Sequence, residues 1–212
     1  MLLYYITDRA GFAATEAQRR EALLRRVAEA ARVGVDYIQL REKDLPAREL
    51  ELLARAAVQA VRASSATVKL LVNGRTDVAL AAGADGVHLP AGELAASEVR
   101  ALWSQSCGRE PVIGVSAHTV EDVVRAKSEG AKFVVLAPIF EKVQTGSSGI
   151  GLEVLRAACA RVQSAEFPVF ALGGVNLSNA LAGLDAGATG IAGIRLFQQG
   201  DIFETVKRLR AL

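Results

Sequence analysis

Three polar side chains that could bind an anion lie at the end of one short apolar run. Gln39, Arg41 and Lys43 occupy alternate positions there. Because alternate residues of an extended chain point to the same side, one amide and two cations would converge. Such a group suits a phosphate, a diphosphate or a carboxylate, which arginine can bind through two parallel hydrogen bonds. The alternative is a charged loop in which the cations pair with Glu42, Asp44 or other nearby acids.

The two histidines of the chain, His88 and His118, are the side chains best suited to moving a proton near neutral pH. Each lies at the end of an apolar run, and each could act as an acid or base or have only a structural role. Asn73 ends another run and could hold a polar group of a substrate, although Asn-Gly is also a common turn signal.

Three glycine-rich segments could bind phosphate through backbone N–H groups. Residues 145–151 combine glycine with hydroxyl side chains before a predicted helix, so they could cradle a phosphate or form a lid without ligand contacts. The other two segments follow the last two apolar runs, and their glycines allow a ligand to approach the backbone closely. They are Gly173-Gly174 and Gly193-Ile194. Together with the cations, these segments predict a small phosphorylated metabolite as the substrate.

These residues need a scaffold that brings the ends of many strands together. Short apolar runs without polar alternation predict strands buried on both faces, at 3–7, 37–40, 69–72, 86–89, 112–116, 133–137, 169–172 and 190–192. Helical patterns fill the gaps, for example over 15–33, 47–63 and 120–129. This eightfold alternation predicts a single-domain (β/α)8 TIM barrel over residues 1–212. Its active site would lie at the C-terminal ends of the strands.

The composition argues against several classes of protein. Apolar residues make up 51% of the chain, which favours a large core, and the net charge of +2 does not indicate a nucleic-acid binder. No apolar run approaches the roughly 18 residues of a membrane helix. Cys107 and Cys159 are far apart and form no CxxC pair, so we predict a reduced, cytoplasmic protein.

Five motifs, in order along essentially the whole chain, resemble the thiamine phosphate synthase/TenI superfamily. They are Tyr5-Ile6-Thr7-Asp8, Gln39-Leu40-Arg41-Glu42-Lys43, Asp85-Gly86-Val87-His88-Leu89, Gly114-Val115-Ser116-Ala117-His118-Thr119 and Leu172-Gly173-Gly174-Val175. The synthases of this superfamily join a pyrimidine diphosphate to a thiazole phosphate and release diphosphate, using Mg²⁺. The resemblance implies that the triplet 39, 41 and 43 binds the diphosphate. Asn73 and Ser116 also match the synthase pattern.

The chain departs from the synthase pattern at the metal site. Gly74 stands where a synthase typically carries a metal-binding aspartate, and residues 90–93 replace a Gly-Gln-Glu-Asp segment, so that Glu93 falls at the second ligand position. Residues 141–145 also lack the usual Thr-x-Thr-Lys run. The departures resemble the TenI branch, whose studied members are thiazole tautomerases that need no metal. His118 matches the proton-transfer histidine of that branch.

We therefore predict a thiazole tautomerase, an isomerase in which His118 moves the proton that aromatises a carboxythiazole phosphate, without a cofactor. The predicted substrate-binding residues are Gln39, Arg41, Lys43, Asn73, Ser116, Gly173, Gly174, Gly193 and Ile194. One alternative is a thiamine phosphate synthase that uses Mg²⁺ with Glu93 as a ligand. The other is a non-catalytic regulator that binds thiazole phosphate. We expect a homodimer and no nucleic-acid or membrane partner.

Overall fold

A computed structural model of the chain describes residues 1–12, 15–141 and 148–212. Eight parallel strands form a closed barrel in which each strand pairs with its neighbour in sequence. The barrel closes through β8 and β1, where Leu3 lies opposite Ile191. The strands are β1 (Leu2–Ile6), β2 (Tyr37–Leu40), β3 (Lys69–Asn73), β4 (Gly86–Leu89), β5 (Val112–Ala117), β6 (Phe133–Leu136), β7 (Val169–Ala171) and β8 (Gly190–Gly193).

Helices connect the strands and cover the outside of the barrel. They are α1 (Glu16–Arg32), α2 (Ala47–Ser64), α3 (Thr76–Ala82), α4 (Ala96–Cys107), α5 (Val120–Ser128), α6 (Leu152–Val162), α7 (Ala180–Asp185), α8 (Arg195–Gln198) and α9 (Ile202–Arg210), with a 3₁₀ turn at Arg9–Gly11. Within the described ranges, no helix has the length and apolar character needed to cross a membrane.

The prediction of a single-domain (β/α)8 barrel is confirmed. Predicted strands and the three predicted helices differ from the observed ones by no more than one residue at either end. The agreement follows from burial, because seven of the strands contribute residues on both faces to an apolar layer, and all four residues of the remaining strand, β4, are buried. α5 begins with a capping box: the Thr119 side chain accepts a hydrogen bond from the Asp122 backbone N–H, and the Asp122 carboxylate accepts one from the Thr119 N–H.

An aromatic layer fills the lower part of the barrel interior. The ring centroids of Tyr4 and Phe133 lie 5.3 Å apart, and those of Phe133 and Phe170 lie 5.0 Å apart. The rings fit because glycines face them: a Cβ on Gly114 would lie 2.5 Å from a Phe133 ring carbon, and a Cβ on Gly190 would lie 2.5 Å from a Phe170 ring carbon. The space left inside the barrel is therefore at the C-terminal ends of the strands.

Candidate active site

A cavity of about 880 Å³ opens at the C-terminal ends of the strands. This volume lies within the range of roughly 300–1,000 Å³ that is typical of small-molecule sites. Residues at or after the ends of all eight strands line it. The predicted site residues among them are Gln39, Arg41, Lys43, Asn73, Ser116, His118, Gly173, Gly174, Gly193 and Ile194, and His88 lines it as well. The fold thus brings together residues that are far apart in sequence.

At the end of β2, alternate side chains point towards the cavity and away from it. Gln39, Arg41 and Lys43 line the cavity, whereas Leu40 and Glu42 between them do not. Gln39 is buried, Arg41 is half-buried and Lys43 is exposed at the rim. The alternation expected for extended chain therefore continues beyond the last paired residue of β2, which places two cations on the cavity side.

Glu42 is held on the opposite side by residues from the end of β1. Its carboxylate accepts a hydrogen bond of 2.6 Å from the Thr7 hydroxyl and one of 3.1 Å from the Arg9 guanidinium. The same guanidinium binds both carboxylate oxygens of Asp44, at 2.7 and 2.6 Å. Thr7 Oγ1 also accepts a hydrogen bond from the Arg41 backbone N–H at 3.0 Å. These contacts fix the backbone from which the cavity cations project.

The charges of this cluster are matched internally. Burial raises the pKa of Glu42, although hydrogen bonds from Thr7 and Arg9 act in the opposite direction. Hydrogen bonds from Arg9 lower the pKa of the exposed Asp44 carboxyl to about 2. Both acids near the triplet thus pair with Arg9. Neither Arg41 nor Lys43 forms a salt bridge with any acid that the structure describes, so both cations are available to an anionic ligand.

A chain of buried polar groups runs beneath the cavity floor. The Gln39 amide nitrogen lies 3.0 Å from the Tyr4 hydroxyl, which lies 3.1 Å from His88 Nδ1. His88 Nε2 in turn lies 2.8 Å from the Ser116 hydroxyl. Complete burial, and to a smaller extent the charge of Arg41, lower the pKa of His88 to about 3. His88 is therefore a neutral imidazole at physiological pH.

His118 occupies a different environment at the start of α5. Its Nδ1 lies 2.7 Å from the backbone oxygen of Ala137, and since a carbonyl only accepts, Nδ1 must carry a proton. The His118 backbone N–H donates to the Asp122 carboxylate at 3.1 Å. In the neutral ring, Nε2 is then the nitrogen without a proton. The side chain is exposed and lines the cavity, as predicted from its position after β5.

The ends of β3 and β4 carry the positions at which the chain departs from the synthase pattern. Gly74 has a φ of +64°, and its N–H donates to the His88 carbonyl. A Cβ at this position would lie 3.6 Å from Glu93 Oε2 and 3.7 Å from the Pro90 ring. The Glu93 carboxylate thus lies next to the space that a side chain at position 74 would fill. Arg75 turns outward, where it binds Asp77 at 2.6 Å.

The glycines after β7 are required by the packing of the backbone around them. Gly173 and Gly174 have φ values of +93° and +66°, which other residues rarely adopt. A Cβ on Gly173 would lie 2.6 Å from Pro138 Cα, and one on Gly174 would lie 2.6 Å from the Glu141 carbonyl oxygen. The loop after β6 therefore packs directly on the loop after β7. Of the predicted phosphate-binding segment 145–151, residues 145–147 lie outside the described residues.

The sequence profile of one protein family, described as "Thiamine monophosphate synthase", matches residues 3–197 of the chain. The chain belongs to this family. It is 41% identical over 193 residues to a thiamine-phosphate synthase from Roseiflexus sp. (strain RS-1), covering 90% of this chain and 75% of that protein. It is 40% identical over 180 residues to one from Moorella thermoacetica, covering 84% and 81%. A solved thiamine phosphate pyrophosphorylase from Pyrococcus furiosus superposes with a TM-score of 0.79 at 31% identity, covering 99% and 94%.

These comparisons show that the predicted superfamily is right and that the predicted activity is wrong. Relatives of about 40% identity are named thiamine-phosphate synthases, which are transferases, so neither the tautomerase nor the isomerase class is supported. The prediction gave decisive weight to Gly74 and to the replacement of the segment at residues 90–93, although it placed Glu93 at the second ligand position. In the folded protein, however, the Glu93 carboxylate lies beside Gly74. A change that removes one acid in sequence therefore does not clear the site of acids.

Five further polar residues line the cavity of this family member without having been predicted. They are Asp8, Glu141, Asn176, Arg195 and Gln199. Asp8 and Arg195 are each the second residue after the end of a strand, β1 and β8, so the rule that selected the other site residues applies to them equally. Glu141, Asn176 and Gln199 lie further from their strand ends, and no local pattern in the sequence points to them.

Proposed function

We propose that the protein is a thiamine phosphate synthase, which joins a pyrimidine diphosphate to a thiazole phosphate and releases diphosphate. The names of the relatives support this activity. The observation that carries the proposal is the pair of cations, Arg41 and Lys43, that project into the cavity while the neighbouring acids bind Arg9. A leaving diphosphate is the group that such a pair would stabilise most.

The reaction breaks the bond between the pyrimidine methylene carbon and a diphosphate oxygen, and it forms a bond between that carbon and the thiazole nitrogen. The electron pair of the broken bond stays on the diphosphate, and the positive charge of the product stays on the thiazolium ring. No proton has to be removed from either reacting centre. Arg41 and Lys43 would stabilise the charge that develops on the departing oxygen. His118 is then a lining residue that this step does not need as a base.

The second phosphate would bind at the ends of β7 and β8, three and two strands away from β2 around the barrel. Gly173 and Gly174 after β7, and Gly193 and Ile194 after β8, line the cavity there. Backbone N–H groups of these two loops are the usual phosphate ligands in barrels of this kind. The exposed Arg195 lies next to them and adds a positive charge. This arrangement would keep the thiazole phosphate away from the cations assigned to the diphosphate.

Mg²⁺ is implied by the synthase activity. In residues 1–12, 15–141 and 148–212, no group of three His, Cys, Asp or Glu side chains is placed to hold a metal ion. Mg²⁺ is nevertheless often bound by one or two carboxylates together with substrate phosphates. Glu93, whose carboxylate lies beside Gly74, fits the role of a single protein carboxylate. The metal would neutralise charge on the diphosphate.

We also propose a cytoplasmic homodimer. Cys107 and Cys159 are free thiols, in keeping with a reducing compartment. Leu52 and Leu102 are exposed on α2 and α4, where apolar side chains could contribute to a dimer contact.

The direct test is an assay of the purified protein with the pyrimidine diphosphate, the thiazole phosphate and Mg²⁺. We expect release of diphosphate and formation of thiamine phosphate, measured by chromatography. Arg41→Met should lower kcat/KM by about 100- to 1,000-fold, the usual effect of removing one group that stabilises transition-state charge. Arg55→Met is the matched control, because Arg55 forms a surface pair with Glu51 on α2. Folded protein that releases no diphosphate from the two substrates together would refute the proposal.

A further inference from the structure

The hydrogen bonds that link the buried polar groups beneath the cavity run in one direction, from donor to acceptor, and Gln39 sets that direction at one end. Gln39 presents its amide nitrogen to the Tyr4 hydroxyl oxygen at 3.0 Å, so this nitrogen donates. The phenol of Tyr4 has one proton, and burial raises its pKa well above the ordinary value, so the proton remains on the oxygen. Since Gln39 occupies the oxygen as a donor, the phenolic proton is free to point at His88 Nδ1, 3.1 Å away.

The hydrogen bond from Tyr4 then determines which nitrogen of the His88 imidazole carries the proton. A neutral histidine has one protonated nitrogen, and if Nδ1 accepts, then Nε2 carries the proton. Nε2 lies 2.8 Å from the Ser116 hydroxyl and therefore donates to it. Ser116 Oγ accepts that bond, which leaves its own proton to be donated elsewhere. Ser116 lines the cavity, so the proton is available to a ligand.

We propose that Tyr4 and His88 are positioning residues that hold the Ser116 hydroxyl as a hydrogen-bond donor towards the ligand. The proposal deepens the synthase assignment and, for the identity of the ligand, rests on it. The ligand atom opposite Ser116 must then be an acceptor, such as an unprotonated ring nitrogen or an oxygen. A ligand that offers only an N–H or O–H there would leave the Ser116 proton without an acceptor and would be disfavoured.

A purely structural role for these groups makes a different prediction. Buried polar groups need partners whatever their function, so any chain of hydrogen bonds would satisfy them. A structural chain would affect stability when broken, but it would not change ligand affinity. Tyr5 provides the comparison, because its hydroxyl donates to buried Gln198 at 3.2 Å, outside the cavity. Tyr4→Phe and Tyr5→Phe each remove one buried hydroxyl from adjacent positions of the same strand.

The first experiment is ¹⁵N NMR of histidine-labelled full-length protein at pH 8. The chain has only two histidines, so His118→Gln assigns both pairs of ring signals. We expect opposite tautomers: His88 protonated at Nε2 and His118 protonated at Nδ1. Protonation of His88 at Nδ1 would overturn the proposal, because Nδ1 would then donate to the Tyr4 hydroxyl and Nε2 would accept the Ser116 proton.

The second experiment measures the affinity of each variant for the pyrimidine diphosphate by calorimetry. Loss of one hydrogen bond that orients Ser116 should weaken binding about 3- to 10-fold in Tyr4→Phe. Ser116→Ala should weaken it at least as much, and Tyr5→Phe should bind as the unchanged protein does. Equal affinities of Tyr4→Phe and Tyr5→Phe would overturn the positioning role. Unchanged protein with the expected NMR spectrum but no affinity for the pyrimidine diphosphate would refute the synthase assignment and still support the direction of the chain.

Discussion

Replacing Arg9 by methionine should show how much the proposed anion site depends on a residue that does not line the cavity itself. The Arg9 side chain is 6% exposed and that of its partner Glu42 is 2% exposed. In Arg9→Met, Glu42 would keep the Thr7 hydroxyl and the residue 9 backbone N–H as donors but lose its counter-charge. Removing one partner of a buried ion pair typically costs about 3–5 kcal/mol of unfolding free energy. Because two hydrogen bonds remain, we expect a loss near 3 kcal/mol.

The loss should depend on pH in a defined direction. Burial already raises the pKa of Glu42, and loss of the Arg9 charge would raise it further. A carboxyl group with a raised pKa in the folded state binds a proton more readily there than in the unfolded state. Stability therefore falls as the pH rises from the unfolded pKa through the folded one. The destabilisation of Arg9→Met should be larger at pH 8 than at pH 5.

Urea denaturation at both pH values measures these differences. Arg55→Met is the control, since an exposed i,i+4 pair contributes only about 0.3–0.5 kcal/mol. Adding Glu42→Gln to Arg9→Met should restore part of the stability at pH 8. Binding of inorganic diphosphate should also weaken in Arg9→Met, because the backbone before Lys43 loses its anchor. Equal losses in Arg9→Met and Arg55→Met, or a loss that is the same at both pH values, would refute the argument.

Two further predictions concern the metal and the buried histidine. Glu93→Gln should weaken Mg²⁺ binding in the presence of inorganic diphosphate, whereas Gly74→Asp should strengthen it by about 10-fold, because carboxylate number tunes cation affinity and aspartate tolerates a positive φ. Calorimetry measures both, and unchanged binding in Glu93→Gln would exclude this carboxylate as a ligand. His88, with a folded pKa of about 3, binds a proton more readily when unfolded, so stability should fall as the pH drops below about 6.5. In urea denaturation, His88→Gln should show a shallower fall between pH 6.5 and 4, and an equal slope would contradict the assigned neutral state.

The barrel could be predicted because its strands are buried on both faces, which leaves continuous apolar runs in the sequence. The cavity cations Arg41 and Lys43 could be predicted for a similar reason, since alternation along one strand is a local property. The pairing of Arg9 with Glu42 could not, because the partners are 33 residues apart and follow different strands. The contact between Tyr4 and His88 spans 84 residues. Such contacts depend on how strand ends are arranged around the barrel, which local spacing does not reveal.

The activity was mispredicted for a related reason. Position 74 carries no side chain, and in the sequence this indicates that a metal-binding carboxylate is missing. In three dimensions, Glu93 comes from the next strand end and reaches the same space. A site assembled from several loops can lose a group at one position while a longer side chain from another loop occupies the neighbourhood. Substitutions at such positions therefore have to be interpreted as a group, with their geometry.

The division of side chains at the end of β2 implies that the length of this segment matters more than its composition. Inserting or deleting one residue just before Arg41 would invert the phase of everything that follows. The carboxylates of Glu42 and Asp44 would exchange sides with the cations, and Arg9 would face positive charge in place of its partners. The cavity would then present carboxylates in place of cations and would repel anions, although residues 41–44 would keep their side chains. Homologous barrels that keep the proposed diphosphate site should therefore tolerate many substitutions here but almost no change in spacing.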